Sequence, residues 1–192
     1  YKKALKDNQE GIIMKKLEAV YQPGRRVGFM LKVKPEEKEL DLVITGAEYG
    51  TGKRHGVLSS FFLACKDEKT GKFLEIGKMS TGIKEKKEEG TSYEEITKEL
   101  KPYIEEEKGR EVKTKPKLVI SVTYQEIQSS PTYSSGFALR FPRFTALRPD
   151  KNPDDIATLN EVKKDYEKQK RNWRYGWIYV ITKGVKMKSF KM

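Results

Sequence analysis

Cysteine and histidine are almost missing from this chain. There is one of each, Cys65 and His55, in 192 residues. A lone cysteine forms no internal disulfide. One cysteine and one histidine cannot fill a Cys/His zinc cluster. A Ser-His-Asp device would have to use His55, which lies in a Gly/Lys/Arg-rich stretch expected at the surface, so that chemistry is set aside. Long apolar runs are missing too. None approaches the ~20 residues that a membrane-spanning helix needs, and no amphipathic helix carries bulky apolar anchors for a membrane surface. No signal peptide opens the chain, which starts at Tyr1-Lys2-Lys3 without Met, and no internal repeat or low-complexity tract appears.

Charge is abundant. Lys and Arg number 40 against 28 Asp and Glu, a formal net charge of +12. Aromatics at 10% argue against a disordered chain. The length suits one to two domains and buries a core without metal or disulfide staples. A surface rich in Lys and Glu, as in heat-adapted proteins, accounts for the charge content but not for its sign. The positive excess points to a polyanionic partner, nucleic acid first and an acidic membrane face second.

The pattern along the chain is mostly β. Residues 1–9 read as the end of a helix, broken by Gly11. Residues 11–16, a short apolar run ending in two lysines, read as a buried strand and 29–33 as a second short strand, around a Tyr21-Gln22-Pro23-Gly24 turn, and 35–39 as a polar hinge or linker. Residues 40–45 are β-rich and run into a glycine-studded stretch, 46–56. Strands are expected over 57–65 and 73–79, with Asp67-Glu68-Lys69-Thr70-Gly71 as hairpin chemistry. Ser92 and Glu95 make a capping-box pattern before Ile96 and Leu100, so a helix runs to about Lys101 and ends at Pro102. Residues 118–125 alternate, with Leu118, Ile120, Val122 and Tyr124 on one face, and 137–147 reads as one further strand, dense in Arg and Phe. Asn152-Pro153-Asp154-Asp155 signals a helix start. The stripe Ile156, Leu159, Val162, Tyr166 follows, set to pack on a barrel. About five strands, one intervening helix and glycine corners fit a small Greek-key barrel of the oligonucleotide-binding (OB) kind.

Three segments stand out chemically: Glu10-Gly11-Ile12-Ile13-Met14-Lys15, Leu31-Lys32-Val33-Lys34, and Arg140-Phe141-Pro142-Arg143-Phe144 followed by Arg148-Pro149-Asp150-Lys151. A strand alternates its faces, so Lys32 and Lys34 point the same way. Two ammonium groups on one side suit a phosphate guest, or else line a solvated strand edge. Glu10 is a candidate metal carboxylate or simply a helix-end charge. Arginines set among aromatics suit phosphate contacts and base stacking.

In order and spacing, E-G-x-x-x-K, Y-x-P-G-R-R, L-K-x-K and a long basic β region ending in R-F-P-R-F and R-x-D-K resemble the C-terminal part of ATP-dependent DNA ligases, of the archaeal and replicative eukaryotic type. The resemblance covers about residues 1–169. It takes in Asp41-Leu42-Val43, Gly46-Ala47, Gly50-x-Gly52-Lys53-Arg54, Thr81-Gly82, Tyr124-Gln125-Glu126-Ile127-Gln128 and Ser135-Gly136. It implies a mainly β fold: an OB-fold Greek-key barrel with one or two helices, preceded by the last strands of a nucleotidyltransferase domain. The implied boundaries are 1–34 for the end of the adenylation domain, 35–170 for the OB domain and 171–192 for a tail of unknown role. The implied activity is nick sealing in duplex DNA. AMP passes from ATP to a lysine and then to a 5′-phosphate, with magnesium assisting. Glu10 matches the metal-binding glutamate of the fourth motif and Lys15 its nucleotide-side lysine. Lys32 and Lys34 match the catalytic lysines of the fifth motif, at the α-phosphate. Arg140, Arg143, Arg148, Asp150 and Lys151 match the sixth motif, which orients pyrophosphate. Lys53 and Arg54 match a loop on the DNA backbone. Phe141 and Phe144 are candidates to press on the minor groove, with core packing the alternative for at least one of them. Nicked double-stranded DNA is the implied partner and a sliding clamp a candidate second one. No membrane partner is expected. A monomer is, in the cytoplasm of a prokaryote beside the nucleoid.

Three features depart from the family pattern. The K-x-D-G motif of the adenylated lysine does not occur, so the chain reads as a fragment that is inactive alone. Met30 stands where the fifth motif usually has Trp. The aromatic run 173–181 extends past the usual end and reads as an extra edge strand, a partner-binding tail or a non-native extension. A stand-alone nucleic-acid-binding OB module and another nucleotidyltransferase, such as an RNA ligase or capping enzyme, are the competing readings.

Overall fold

The computed structural model describes residues 1–7, 9, 11–24, 28–34, 38–172 and 178–182, without the side chains of 170–172 and 178–182. The chain forms two compact units. One comprises residues 1–36 with 168–192, the other 37–167.

In the first unit, the short helix α1 (Lys2–Lys6) precedes β1 (Ile12–Lys16) and β2 (Met30–Val33). β1 and β2 are antiparallel, with Ile13 opposite Lys32 and Lys15 opposite Met30. The other edge of β1 takes β12 (Ile178–Thr182) in parallel, so part of the unplaced C-terminal stretch is a strand of this sheet.

The second unit is built on β3 (Lys38–Tyr49), the longest strand. Its first half pairs with β8 (Val119–Tyr124) along one edge; its second half pairs with β4 (Leu58–Lys66) along the other. β5 (Phe73–Met79) continues beyond β4, and β11 (Arg143–Leu147) beyond β8. The two outer strands meet through a parallel bridge between Thr81 and Arg143, where Phe144 N donates to Thr81 O at 2.9 Å. The circuit β3-β4-β5-β11-β8-β3, with helix α2 (Tyr93–Leu100) in the crossover between β5 and β8, is the Greek-key barrel of an OB-fold.

β3 serves both halves of the barrel because it bends at Gly46. The pairing with β4 shifts register between Ile44 and Gly46. A Cβ on Gly46 would lie 2.8 Å from Val112 O and 3.1 Å from the Phe62 ring. The bare backbone lets the strand turn where a side chain would block it. The strand therefore runs on to Tyr49, through the first part of the stretch expected to be a glycine loop.

The core has the chemistry its pattern foretold. Leu42, Ile44, Leu58, Phe61, Leu63, Ile76, Ile120 and Val122 are fully buried. Each such side chain contributes roughly 1.5–3 kcal/mol by leaving water. α2 adds Ile96 and Leu100. Its N-cap is Ser92, whose Oγ accepts from Glu95 N at 3.2 Å. Helix α3 (Leu159–Asn172) brings Val162 into the same core, with Leu159 and Tyr166 beside it, so the apolar stripe does pack on the barrel. The Asn152 capping box is present but caps only a 3-10 turn, Pro153–Asp155; α3 starts after it.

Two expectations change. The strand anticipated over 137–147 is two strands: β10 (Phe137–Arg140), which pairs with β9 (Glu126–Ser129), and β11. Pro142 lacks the N–H that a ladder needs, and Phe141 adopts φ +51°, so the chain turns between them. Residues 104–114, given no strand by their pattern, form an antiparallel hairpin, β6 (Ile104–Lys108) and β7 (Glu111–Thr114), with β7 added to the edge of β3. Among the described residues no helix is long and apolar enough to cross a membrane.

Candidate functional site

Each unit carries its own part of the expected site. In the first, strand register decides which side chains share a face. Lys15 lies opposite Met30 and Ile13 opposite Lys32. Alternation therefore puts Lys15 and Lys32 on one side of the β1–β2 sheet, and Lys34 lies just past the end of β2. Lys15 and Lys32 are exposed and Lys34 is half-buried. Two ammonium groups on one side, with a third at the strand end, make an anion-attracting surface, suited to the phosphates of a nucleotide. Glu10 lies outside the described residues. Among those residues no group of three or more His, Cys, Asp or Glu side chains is placed to hold a metal ion.

In the second unit, three of the sixth-motif cations, Arg140, Arg148 and Lys151, are held by carboxylates, and two of those, Asp41 and Glu126, were given no role by the sequence reading. Arg148 follows β11, and its backbone N–H donates to Val119 O at 2.9 Å, which fixes where the side chain starts. Its Nη1 donates to both oxygens of Asp41, at 3.0 Å each. Its Nε and Nη2 donate to Asp150 at 2.9 and 2.7 Å. Lys151 Nζ reaches Asp41 at 2.6 Å. Ser121, opposite Asp41 in the β3–β8 ladder, donates its hydroxyl to the same carboxylate. Burial alone would push the Asp41 carboxyl up, but the hydrogen bonds from Lys151 and Ser121 and the nearby cations bring it below its usual value. Hydrogen bonding from Arg148 holds Asp150 down at about 2, and the Arg148 guanidinium is raised in turn. Two cations and two anions thus share one cage.

Arg140 is held in a similar way. Its Nη1 donates to Glu126 at 2.8 Å, and Glu126 also accepts from Gln128. Glu126 is only 4% exposed, so its charge is buried on the Arg140 side. Arg143 differs. Its side chain is exposed, and among the described residues it makes no ion pair.

The two phenylalanines part company. Phe141 is 67% exposed, its backbone is left-handed, and its ring lies 5.2 Å from the Arg140 guanidinium. A non-glycine residue held at positive φ is strained, and such strain persists only where the surroundings enforce it. Phe144 is 5% exposed and packs in the barrel core. A ring seated there reaches no DNA groove unless the barrel opens. Phe144 therefore takes the packing role that the sequence left open for one of the two, and Phe141 is the ring at the surface.

Lys53 and Arg54 sit on a 3-10 turn, Gly52–Arg54, between β3 and β4. Lys53 is exposed. Arg54 stacks on Tyr93 with its guanidinium carbon 4.2 Å from the ring centre, and donates to Glu85 at 2.9 and 2.5 Å. It is a tethered cation, and Lys53 is the open one. The loop with Lys53 and the turn with Phe141 are the β3–β4 and β8–β11 connections of the barrel, the positions from which OB-folds grip oligonucleotides.

Sequence reasoning missed Asp41, Ser121 and Glu126 as anchors. The available signal was an acid on an otherwise apolar strand: Asp41 beside Leu42-Val43, and Glu126 after Tyr124-Gln125.

Residues 54–151 match the family described as the ATP dependent DNA ligase C terminal region. A DNA ligase of Nanoarchaeum equitans is 52% identical over 172 residues, covering 88% of this chain and 30% of the relative. A DNA ligase of Thermococcus onnurineus is 48% identical over 171 residues, covering 89% of this chain and 30% of the relative. The chain thus spans about 30% of the length of these curated relatives. The ligase domain of LigD from M. tuberculosis aligns with a TM-score of 0.49 at 25% identity, covering 73% of this chain and 44% of that one. The family match takes in half the chain, from the β3–β4 turn to the carboxylate cage, and the chain belongs to the ATP-dependent DNA ligase family as a bearer of its C-terminal region.

Proposed function

We propose that this chain is the C-terminal part of an enzyme that seals nicks in duplex DNA with ATP, through a lysine-linked AMP and an adenylated 5′-phosphate. One observation carries the reading. The family match begins at the β3–β4 turn and ends on Lys151, taking in the whole cationic run, of which the barrel holds Arg140 by Glu126 and Arg148 and Lys151 by Asp41.

In this reading residues 1–34 close the adenylation domain, residues 35–170 form the OB domain, and 171–192 lie beyond it. Lys15, Lys32 and Lys34 face the nucleotide from the β1–β2 sheet. Lys32 and Lys34 are the catalytic pair and offset the negative charge that gathers on the α-phosphate during AMP transfer. The sixth-motif cations orient pyrophosphate in the adenylation step, Arg143 with an open guanidinium and Arg148 and Lys151 from their cage. Lys53 and Arg54 contact the DNA backbone, and Phe141 presses on the minor groove at the nick. The family resemblance places magnesium at Glu10, where it would screen phosphate charge; the described residues supply no ligand cluster for it. A sliding clamp is the proposed further partner. The protein is proposed to act as a monomer in the cytoplasm, beside the nucleoid.

The test is reconstitution. Joined to an upstream part bearing K-x-D-G, the chain should seal nicked duplexes. Lys32→Ala in the joined enzyme should slow AMP transfer by about 10²–10³-fold, the effect of losing one preorganised charge-stabilising group, with DNA affinity nearly unchanged. Normal sealing by that variant would remove the phosphate role. A clear preference of the chain for single strands over nicked duplex would favour a plain binding module instead. Binding should weaken steeply with salt as phosphate contacts release counterions.

A further inference from the structure

The carboxylate cage has a property that the role of its cations does not require. Arg148 and Lys151, two of the cations expected to meet pyrophosphate, already hold an anion between them. Asp41 places both oxygens on Arg148 Nη1 at 3.0 Å and one of them on Lys151 Nζ at 2.6 Å. An oxyanion held by a guanidinium and an ammonium together is the pattern by which such side chains take a phosphate. Asp150 occupies the other edge of the same guanidinium. Two positive and two negative side chains leave the cage formally neutral.

Asp41 is built for that place. Its side chain is 15% exposed, β3 holds its backbone, and Ser121 donates to it from the neighbouring strand. Its backbone O accepts from Ala157 N at 2.9 Å, which fixes the strand on its far side. Arg148 and Lys151 lie on the segment that follows β11 and are themselves 28% and 31% exposed. The anion is anchored in the barrel, and the cations are at its surface.

We infer that Asp41 is a positioning residue that stands in for a phosphate: it orders Arg148 and Lys151 in the resting barrel and is displaced from them when pyrophosphate oxygens arrive. This deepens, and rests on, the reading of the sixth motif as a pyrophosphate clamp. The polyphosphate must exchange with a carboxylate, so the clamp is ordered but weak until the nucleotide is fully presented. Removal of the Asp41 charge therefore strengthens anion binding, whereas a merely structural carboxylate would weaken it when lost.

Inorganic pyrophosphate titrated into the 192-residue chain by calorimetry tests this. Asp41→Asn keeps the shape and gives the cage a net positive charge. It should bind pyrophosphate at least about fivefold tighter than the unaltered chain, the scale of one unit charge about 4 Å away in bulk water. Adding Arg148→Met should abolish the gain. In the unaltered chain, saturating pyrophosphate should move the Asp41 carboxyl carbon resonance. Equal or weaker binding by Asp41→Asn, or a gain that survives Arg148→Met, overturns the inference. If Asp41→Asn gives no cooperative melt, the carboxyl resonance decides alone, and a resonance that stays put at saturation overturns it. Nick sealing by the joined enzyme reports separately on the ligase reading, so either can fail while the other stands.

Discussion

The barrel closes at a seam one residue wide, and Gly82 is the position that tests it. Gly82 has φ +94°, and a Cβ there would lie 2.2 Å from Phe144 O, 2.7 Å from Phe144 N and 2.8 Å from Arg143 Cγ. Two of those atoms are backbone and cannot rotate away. In Gly82→Ala the unfavourable φ costs about 1–3 kcal/mol. The seam must also part, which removes the bond from Phe144 N to Thr81 O, worth about 0.5–1.5 kcal/mol net. It disturbs the packing of Phe144 as well, so a loss of about 3–5 kcal/mol is expected, at the exceptional end for a point change. For a unit of this size that lowers Tm by about 10–20 °C. Gly109→Ala is the matched control: φ +60° with nothing within 4 Å of the added Cβ, so only the backbone cost applies. Urea unfolding followed by circular dichroism compares the two. A Gly82→Ala loss within about 1 kcal/mol of the Gly109→Ala loss would show that the seam does not close as described.

Two further outcomes follow from the site. Phe144→Ala should cost about 3–5 kcal/mol of stability as a cavity in the core, whereas Phe141→Ala should stay within about 0.5 kcal/mol yet weaken binding to a nicked duplex. Similar melting losses in both would contradict their opposite burial. Hydrogen bonding from Arg148 depresses Asp150 to about 2 from an ordinary 3.8, so the stabilisation from this pair is fully present above about pH 4 and is lost as pH falls toward 2. Asp150→Asn should flatten the stability curve across that window; an unchanged slope between pH 4 and 2 would rule out the pairing.

What the sequence made legible was whatever local pattern decides. Ser92 and Glu95 announced α2, and the alternation of Ile120, Val122 and Tyr124 announced β8, because capping and strand period act over a few residues. The turn at Phe141-Pro142 was hidden by the β-rich Arg and Phe around it, although Pro142 was the available clue. The β6–β7 hairpin was hidden because Glu105, Glu106 and Glu107 carry no apolar face, and the hairpin is held chiefly by pairing to β3. The cage around Arg148 was the least legible part. Asp41, Ser121 and Lys151 are far apart in sequence and meet through the register of β3 on β8 and of β11 on β8. Motif spacing could name the cations and Asp150 but not Asp41 or Glu126.

The parallel pairing of β12 with β1 sets an order of assembly. Ile12 and Ile178 are partners across the whole length of the second unit, so their meeting is the most distant strand pairing among the described residues and among the slowest kinds of contact to form. During synthesis β1 is made before the barrel and β12 after it, so that edge of β1 waits until the barrel has been made. Pulse-labelling of nascent chains would find the barrel protected before the edge of the first sheet is.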